Sequence, residues 1–145
     1  MSGKLTLELV TPERLALSEA ADFVVLPALD GEMGVLPGHE AYLVQLKPGE
    51  IRVTVGDEHR SFAVSGGFAE VYRDKVAVFA ETAEMAEDID VERARQALER
   101  AKSESHQHRR DPMSLVEAES AMRRAEVRLR VADLKLRPLS KRRRR

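Results

Sequence analysis

Residues 48–80 read PGEIRVTVGDEHRSFAVSGGFAEVYRDKVAVFA, which contains four short segments rich in β-branched and aromatic side chains. The segments span residues 50–55, 59–64, 67–72 and 75–80 and are separated by the turn-forming pairs Gly56-Asp57, Gly66-Gly67 and Arg73-Asp74. Short strands at close, even spacing, with no helical pattern between them, are typical of an antiparallel β-sandwich or barrel.

The same pattern continues toward the N-terminus. Leu5, Leu7 and Leu9 alternate with polar residues, a period of two that predicts a half-buried strand. Further short runs lie at residues 14–18, 23–27 and 42–46, with Pro and Gly pairs between them. We therefore predict an all-β domain that ends near Thr82.

The period changes after residue 88. Asp90 is a suitable N-cap, and Ala94, Ala97, Leu98 and Ala101 follow at the spacing of one helix face, which predicts a helix over residues 91–105. A second helix carries apolar residues spaced alternately four and three apart. It begins after Asp111-Pro112, or a turn later at a capping box formed by Ser114 and Glu117. We divide the chain into a β-sandwich domain (residues 1–88), a helical hairpin (89–138) and a basic tail (139–145, with KRRRR at 141–145).

The predicted contact between the two helices is rich in alanine. The second helix contributes Ala118, Met122, Ala125, Leu129, Ala132 and Leu136. An alanine contact buries less apolar area than a leucine contact, so the hairpin could open. Alternatively, alanine only allows the helices to approach more closely.

Charge is divided unevenly along the chain. Residues 1–88 carry 7 basic and 16 acidic side chains, a net charge of −9, and the remainder carries 17 basic and 9 acidic side chains, a net charge of +8. The two halves therefore either attract each other or face different partners. The chain has no cysteine, no visible signal peptide and no apolar run of membrane-spanning length, which fits a reducing compartment.

No segment supplies a set of catalytic residues. Ser65-Gly66-Gly67-Phe68 lacks the lysine of a phosphate-binding loop and is interpreted as a bulge or tight turn. His106 and His108 lie in a polar connection, where a solvated pair is the more frequent case than a metal site. The sequence predicts a non-catalytic binding protein with no metal site.

Four arginines occupy shared helix faces. Arg93 and Arg100 lie seven residues apart on the first helix, and Arg124 and Arg128 lie four apart on the second. Guanidinium groups that converge in this way could bind a polyanion such as a nucleotide phosphate. The alternative is a solvated charged face in which acidic neighbours partner the arginines.

Two motifs give the chain a specific resemblance. The segment GEMGVLPGH at residues 31–39 and the segment SGGFAEV at residues 65–71 are similar to signatures of the epsilon subunit family of bacterial F-type ATP synthases. The resemblance extends from Leu5 to Lys135. It implies a ten-stranded β-sandwich followed by two helices, without catalytic activity.

The resemblance also implies partners and a location. Members of this family belong to the central stalk, contact the gamma subunit and the c-ring, and inhibit ATP hydrolysis when their helices extend toward the alpha and beta subunits of the catalytic head. The complex holds them at the cytoplasmic face of the bacterial cell membrane. The docking residues implied here are Gly31, Glu32, Gly34, Pro37, Gly38 and His39, with Glu32 expected to be exposed to a basic partner.

The same resemblance implies a regulatory ATP site, although no cofactor is required. It would comprise Glu84, Ile89, Asp90, Arg93, Ala94, Arg100, Arg124 and Arg128. Two other functions remain open at this point, a stand-alone ATP sensor and a nucleic-acid binder. The near-zero overall charge and the few aromatic residues count against nucleic acid.

Overall fold

The computed structural model describes residues 3–136 and, for residues 134–136, the backbone alone. The predicted basic tail and the predicted helix end at Pro138 lie outside the described residues. The chain divides into two compact units between Met85 and Ala86, whereas the sequence analysis placed the boundary after Asp88.

The first unit is built from ten strands. They are β1 (Leu5–Val10), β2 (Leu15–Ala21), β3 (Phe23–Ala28), β4 (Gly31–Val35), β5 (Tyr42–Leu46), β6 (Gly49–Val55), β7 (Glu58–Val64), β8 (Gly67–Tyr72), β9 (Lys75–Ala80) and β10 (Ala83–Met85). Their order in the sheet is β10-β7-β6-β3-β5-β8-β9-β1-β2, and β4 pairs with β3. The β1–β9 ladder is parallel, with Thr6 opposite Lys75, and the other ladders are antiparallel.

This sheet folds back on itself around one apolar core. Glu19 on β2 and Arg60 on β7, near opposite ends of the strand order, form an ion pair of 2.7 Å. The inward-facing side chains are almost entirely Leu, Val, Ile and Ala, as expected of a chain with few aromatic residues. The fully buried members include Leu5, Leu7, Leu9, Val24, Leu26, Ile51, Val53, Val71, Val76 and Val78.

The predicted fold class is confirmed, with three corrections to the strands and one to the sheet. The sequence pattern predicted no strand over residues 31–39, but Gly31–Val35 forms β4. The sequence analysis missed the three-residue strand β10, and it shortened β2, which extends to Ala21. It also treated the sheet as antiparallel throughout and so missed the parallel β1–β9 pair.

The second unit contains a 3-10 turn (Ala86–Asp88) and two helices, α1 (Val91–Gln107) and α2 (Pro112–Leu136). The Asp90 side chain accepts a hydrogen bond from the Arg93 N–H at 3.0 Å, which caps α1 as predicted. Helix α1 continues beyond the predicted end at Ser105 because the backbone N–H of His108 still donates to Glu104. The short connection makes α1 and α2 antiparallel neighbours.

The hairpin buries its alanines along the predicted contact. Ala94 and Ala101 are buried on α1. On α2 the buried alanines are Ala118, Ala125 and Ala132. Ala97, Leu98, Met122 and Leu129 are partly buried. The sequence analysis missed the buried Val127 and Val131, which do not follow the seam spacing.

Candidate functional site

The glycine-bearing segment 31–39 combines a strand with a turn. Strand β4 pairs with β3, and a Cβ atom added to Gly34 would lie 2.9 Å from the Phe23 ring, so this glycine permits a close approach within the sheet. Gly31, Glu32 and Gly34 lie on β4, whereas Pro37, Gly38 and His39 lie in the turn that follows it. The structure therefore divides the predicted docking residues between strand β4 and the turn after it.

The turn that follows β4 is held in place by the turn between β8 and β9. The Gly38 N–H donates to the Asp74 carboxylate at 2.8 Å, and the His39 N–H donates to the Leu36 carbonyl at 3.2 Å. Gly38 has φ of +81°, a conformation that favours glycine. The sequence analysis read Asp74 only as a turn residue, because no local pattern shows a contact across 36 positions.

Glu32 is exposed, as predicted, but it is already paired. Its two carboxylate oxygens accept hydrogen bonds from the Arg52 guanidinium at 2.9 and 2.7 Å. The hydrogen bond to Glu32 raises the pKa of Arg52 above its already high ordinary value. A partner that contacts Glu32 thus meets an ion pair, and the expectation of a carboxylate awaiting a basic partner is corrected.

The second motif, residues 65–71, forms the passage from β7 to β8. Gly66 and Gly67 have φ of +103° and +129°, and a Cβ atom on Gly67 would lie 2.0 Å from the Phe79 carbonyl oxygen. Ser65 exchanges hydrogen bonds with Thr82 through its backbone N–H and its hydroxyl oxygen. The motif is a tight structural turn, in agreement with the interpretation from sequence.

Three residues of the predicted ATP site have structural roles in the second unit. Asp90 caps α1, Ile89 is 7% exposed and Ala94 is fully buried. Ile89 and Ala94 therefore contribute packing. The Asp90 carboxylate is exposed but directs one oxygen to the helix N-terminus.

The charged residues of the predicted ATP site are spread over both units. Arg93, Arg100 and Arg124 are exposed, and Arg128 is half-buried. Arg124 donates to the Ser120 hydroxyl at 2.8 Å. Arg100 lies about 10 Å beyond Arg93 along the axis of α1. Glu84 lies on β10 of the first unit, whereas the other seven residues lie in the second.

Among residues 3–136 no group of three or more His, Asp or Glu side chains could hold a metal ion. Within the same described range, neither helix is long and apolar enough to cross a bilayer.

Asp111 connects helix stability to pH. It accepts hydrogen bonds from the Ser114 hydroxyl at 2.7 Å and the Met113 N–H at 3.3 Å, which fixes the start of α2 at Pro112 and excludes the alternative capping box. The Ser114 hydrogen bond lowers the pKa of Asp111 below its ordinary value. Its stabilising contribution is therefore complete above that ordinary value and is lost as the pH falls through the lowered one.

We expect the wild-type chain to be more stable than Asp111→Asn at pH 7, and we expect this difference to shrink as the pH falls below the ordinary pKa of an aspartate, about 4. Thermal unfolding followed by circular dichroism at 222 nm measures the difference at each pH. A difference that stays constant across the range would show that ionised Asp111 does not support α2.

Comparison with known proteins agrees with this two-part architecture. The family model for the beta-sandwich domain of the ATP synthase delta/epsilon chain matches residues 4–86, and the model for its long alpha-helix domain matches residues 87–133. An ATP synthase epsilon chain of Dehalococcoides mccartyi is 45% identical over 131 residues, which cover 90% of this chain and 94% of the relative. One from Syntrophobacter fumaroxidans is 45% identical over 133 residues, covering 92% and 98%.

Solved structures show the same likeness. A chain in the cryo-EM structure of the Euglena gracilis mitochondrial ATP synthase (OSCP/F1/c-ring) has a TM-score of 0.76 and 30% identity, with coverage of 92% of this chain and 82% of that one. A chain of the Tetrahymena thermophila mitochondrial ATP synthase (central stalk/c-ring) has a TM-score of 0.59 at 13% identity and shows likeness of fold alone. The predicted resemblance is confirmed, and the chain belongs to the ATP synthase delta/epsilon chain family.

Proposed function

We propose that this chain is a non-catalytic, epsilon-type rotor subunit of a proton-translocating F-type ATP synthase, in which it couples rotation of the c-ring to the catalytic head. One observation carries the proposal. The sandwich and the hairpin each match the corresponding domain of one family, in the same order, and relatives of nearly equal extent are named ATP synthase epsilon chain.

The proposed partners are the gamma subunit and the c-ring for the sandwich, and the alpha and beta subunits of the catalytic head for the hairpin. The chain would then lie at the cytoplasmic face of the bacterial cell membrane, held there by the complex. This chain is similar to chains in ATP synthase structures that comprise F1, the central stalk and the c-ring, and that similarity supports the assignment. Nucleic acid is not among the proposed partners.

Inhibition of ATP hydrolysis by the hairpin belongs to the same proposal. Residues 89–145 carry the chain's excess of positive charge, so an acidic surface on the catalytic head would attract an extended hairpin. The contact between α1 and α2 is made largely by alanines, which limits the apolar area lost when the helices separate. A ligand that binds only the folded hairpin would shift the population away from inhibition.

Purification from native membranes tests the proposal. A tagged copy expressed at its natural level should copurify with the catalytic and c-ring subunits, and its deletion should uncouple ATP hydrolysis from proton pumping in membrane vesicles. A chain that purifies alone and leaves coupling intact when deleted would contradict the proposal and favour a stand-alone ATP sensor.

The ATP site gives a more specific prediction. If ATP binds the folded hairpin through Asp90, Arg93, Arg124 and Arg128, Arg124→Ala removes one charged hydrogen bond and should weaken binding about tenfold to hundredfold. It should also raise the fraction of extended, inhibitory hairpin. Calorimetry of the full chain with ATP and magnesium measures the affinity.

Arg123→Ala is the matched control, because Arg123 is also exposed but points to another side of α2. It should bind ATP as the wild type does. Equal affinities for the wild type and Arg124→Ala, or no binding at millimolar ATP, would contradict the predicted site and leave Arg124 in a solvated face.

A further inference from the structure

Strand β2 lies at one end of the sheet and has little apolar area to hold it there. It pairs with β1, and among the described residues it has no ladder with another strand. Of its seven residues only Ala21 is buried, while Leu17 is half-buried and Leu15 is 56% exposed. Apolar burial therefore contributes little to the position of this edge strand.

The C-terminal end of β2 is anchored at the corner that leads into β3. The Asp22 N–H donates to the Thr54 carbonyl at 2.8 Å, and the Gly56 N–H donates to the Asp22 carboxylate at 2.6 Å. Both contacts lie beyond the last residue of β2. The rest of the strand depends on other contacts.

Glu19 on β2 makes such a contact, because its side chain points into the sandwich. Glu19 lies opposite the fully buried Leu7 in the β1–β2 ladder. Arg60 lies opposite Val53 in the β6–β7 ladder, and Val53 is 1% exposed. Residues directly opposite each other in an antiparallel pair share one face of the sheet, so Glu19 and Arg60 both face inward.

The pair formed by these two residues is largely enclosed. Arg60 Nη1 donates to Glu19 Oε2 at 2.7 Å, and the Glu19 side chain is 20% exposed. The other carboxylate oxygen, Oε1, is buried and accepts no hydrogen bond from a protein group among residues 3–136. Because the carboxylate has lost most of its hydration, its charge is tolerated inside the sandwich only while the guanidinium is close.

We propose that the Glu19–Arg60 pair is a latch that holds edge strand β2 against β7, and that β2 opens as a unit when the pair is broken. Loss of Arg60 leaves a carboxylate inside the sandwich without a counter-charge, and outward movement of β2 returns that carboxylate to water. Strand β1 stays in the sheet when β2 opens, because β1 also pairs with β9.

Hydrogen exchange of the full chain, followed by mass spectrometry, tests the latch. Arg60→Gln removes the charged hydrogen bond, so the amides of residues 15–21 should exchange about tenfold to hundredfold faster than in the wild type. Residues 67–72, which form β8 in the interior of the sheet, should exchange at the wild-type rate.

Glu58→Gln is the matched control. Glu58 lies 3.7 Å from the same guanidinium but is 73% exposed, so its replacement should leave the exchange of residues 15–21 unchanged. The double variant Glu19→Gln with Arg60→Gln no longer holds a charge inside the sandwich. It should therefore exchange no faster over residues 15–21 than Arg60→Gln alone.

The inference is overturned if Arg60→Gln leaves the exchange of residues 15–21 unchanged, or if residues 67–72 lose protection by the same factor. The second result would show that the pair supports the whole sandwich instead of one strand. Faster exchange in the double variant than in Arg60→Gln would also overturn it, because Glu19 and Arg60 would then act independently.

Discussion

Gly67→Ala should destabilise the β-sandwich by about 3–5 kcal/mol, a large part of the stability of an ordinary domain. The added Cβ would lie 2.0 Å from the Phe79 carbonyl oxygen, and that oxygen belongs to the backbone of β9, which cannot rotate away. The φ of +129° is a further cost for any residue with a Cβ. Urea denaturation followed by tyrosine fluorescence measures the effect, since Tyr42 and Tyr72 both lie in the first unit.

Gly56→Ala distinguishes the cost of a positive φ from the cost of the clash with β9. Gly56 also has a positive φ, of +59°, but no atom lies within 4 Å of the position that a Cβ would occupy. A left-handed conformation alone costs about 1–2 kcal/mol, so this variant should be clearly more stable than Gly67→Ala. Equal losses for the two variants would show that the approach of β9 to Gly67 does not matter.

Ala101→Leu should destabilise the hairpin by about 1–3 kcal/mol, because three extra carbons enter a close-packed contact between α1 and α2. Ala101 is 2% exposed, so the larger side chain has no solvent-facing alternative without moving a helix. Loss of circular dichroism at 222 nm during denaturation reports the helices, which lie in the second unit.

Gln96→Leu introduces the same side chain at an exposed position of α1 and should leave the hairpin nearly unchanged. If both variants unfold alike, the alanine contact has room for a larger residue. That result would remove close approach as the reason for alanine and would leave the small apolar area of the contact as the explanation.

The sequence predicted those elements whose signal is local. Residues 48–80 alternate clearly and are punctuated by turns, so their four strands were found close to their true positions. Strand β4 was missed because Gly31 and Gly34 resemble turn residues, and its stability comes from pairing with β3. The parallel β1–β9 pair has no local signature at all.

In the candidate sites, too, local contacts could be predicted from the sequence and long-range contacts could not. The caps Asp90 and Asp111 were predictable because each acts within three residues of itself. The partners Arg52 for Glu32 and Asp74 for Gly38 lie 20 and 36 positions away and appear only when the sheet is assembled. Motif resemblance identified residues 31–39 as one segment but could not show that its first five residues form a strand and the rest a turn.

The parallel pairing of β1 with β9 has a consequence for synthesis on the ribosome. Strand β1 can pair with β2 almost at once, but its other edge stays open until Lys75 and its neighbours emerge, roughly 3–13 s later at ordinary elongation rates. A two-stranded hairpin is barely stable alone, and β1 carries Leu5, Leu7 and Leu9 on one face. The first strand made is thus among the last to be enclosed, and the nascent chain exposes an apolar, unpaired strand edge for about half of its synthesis.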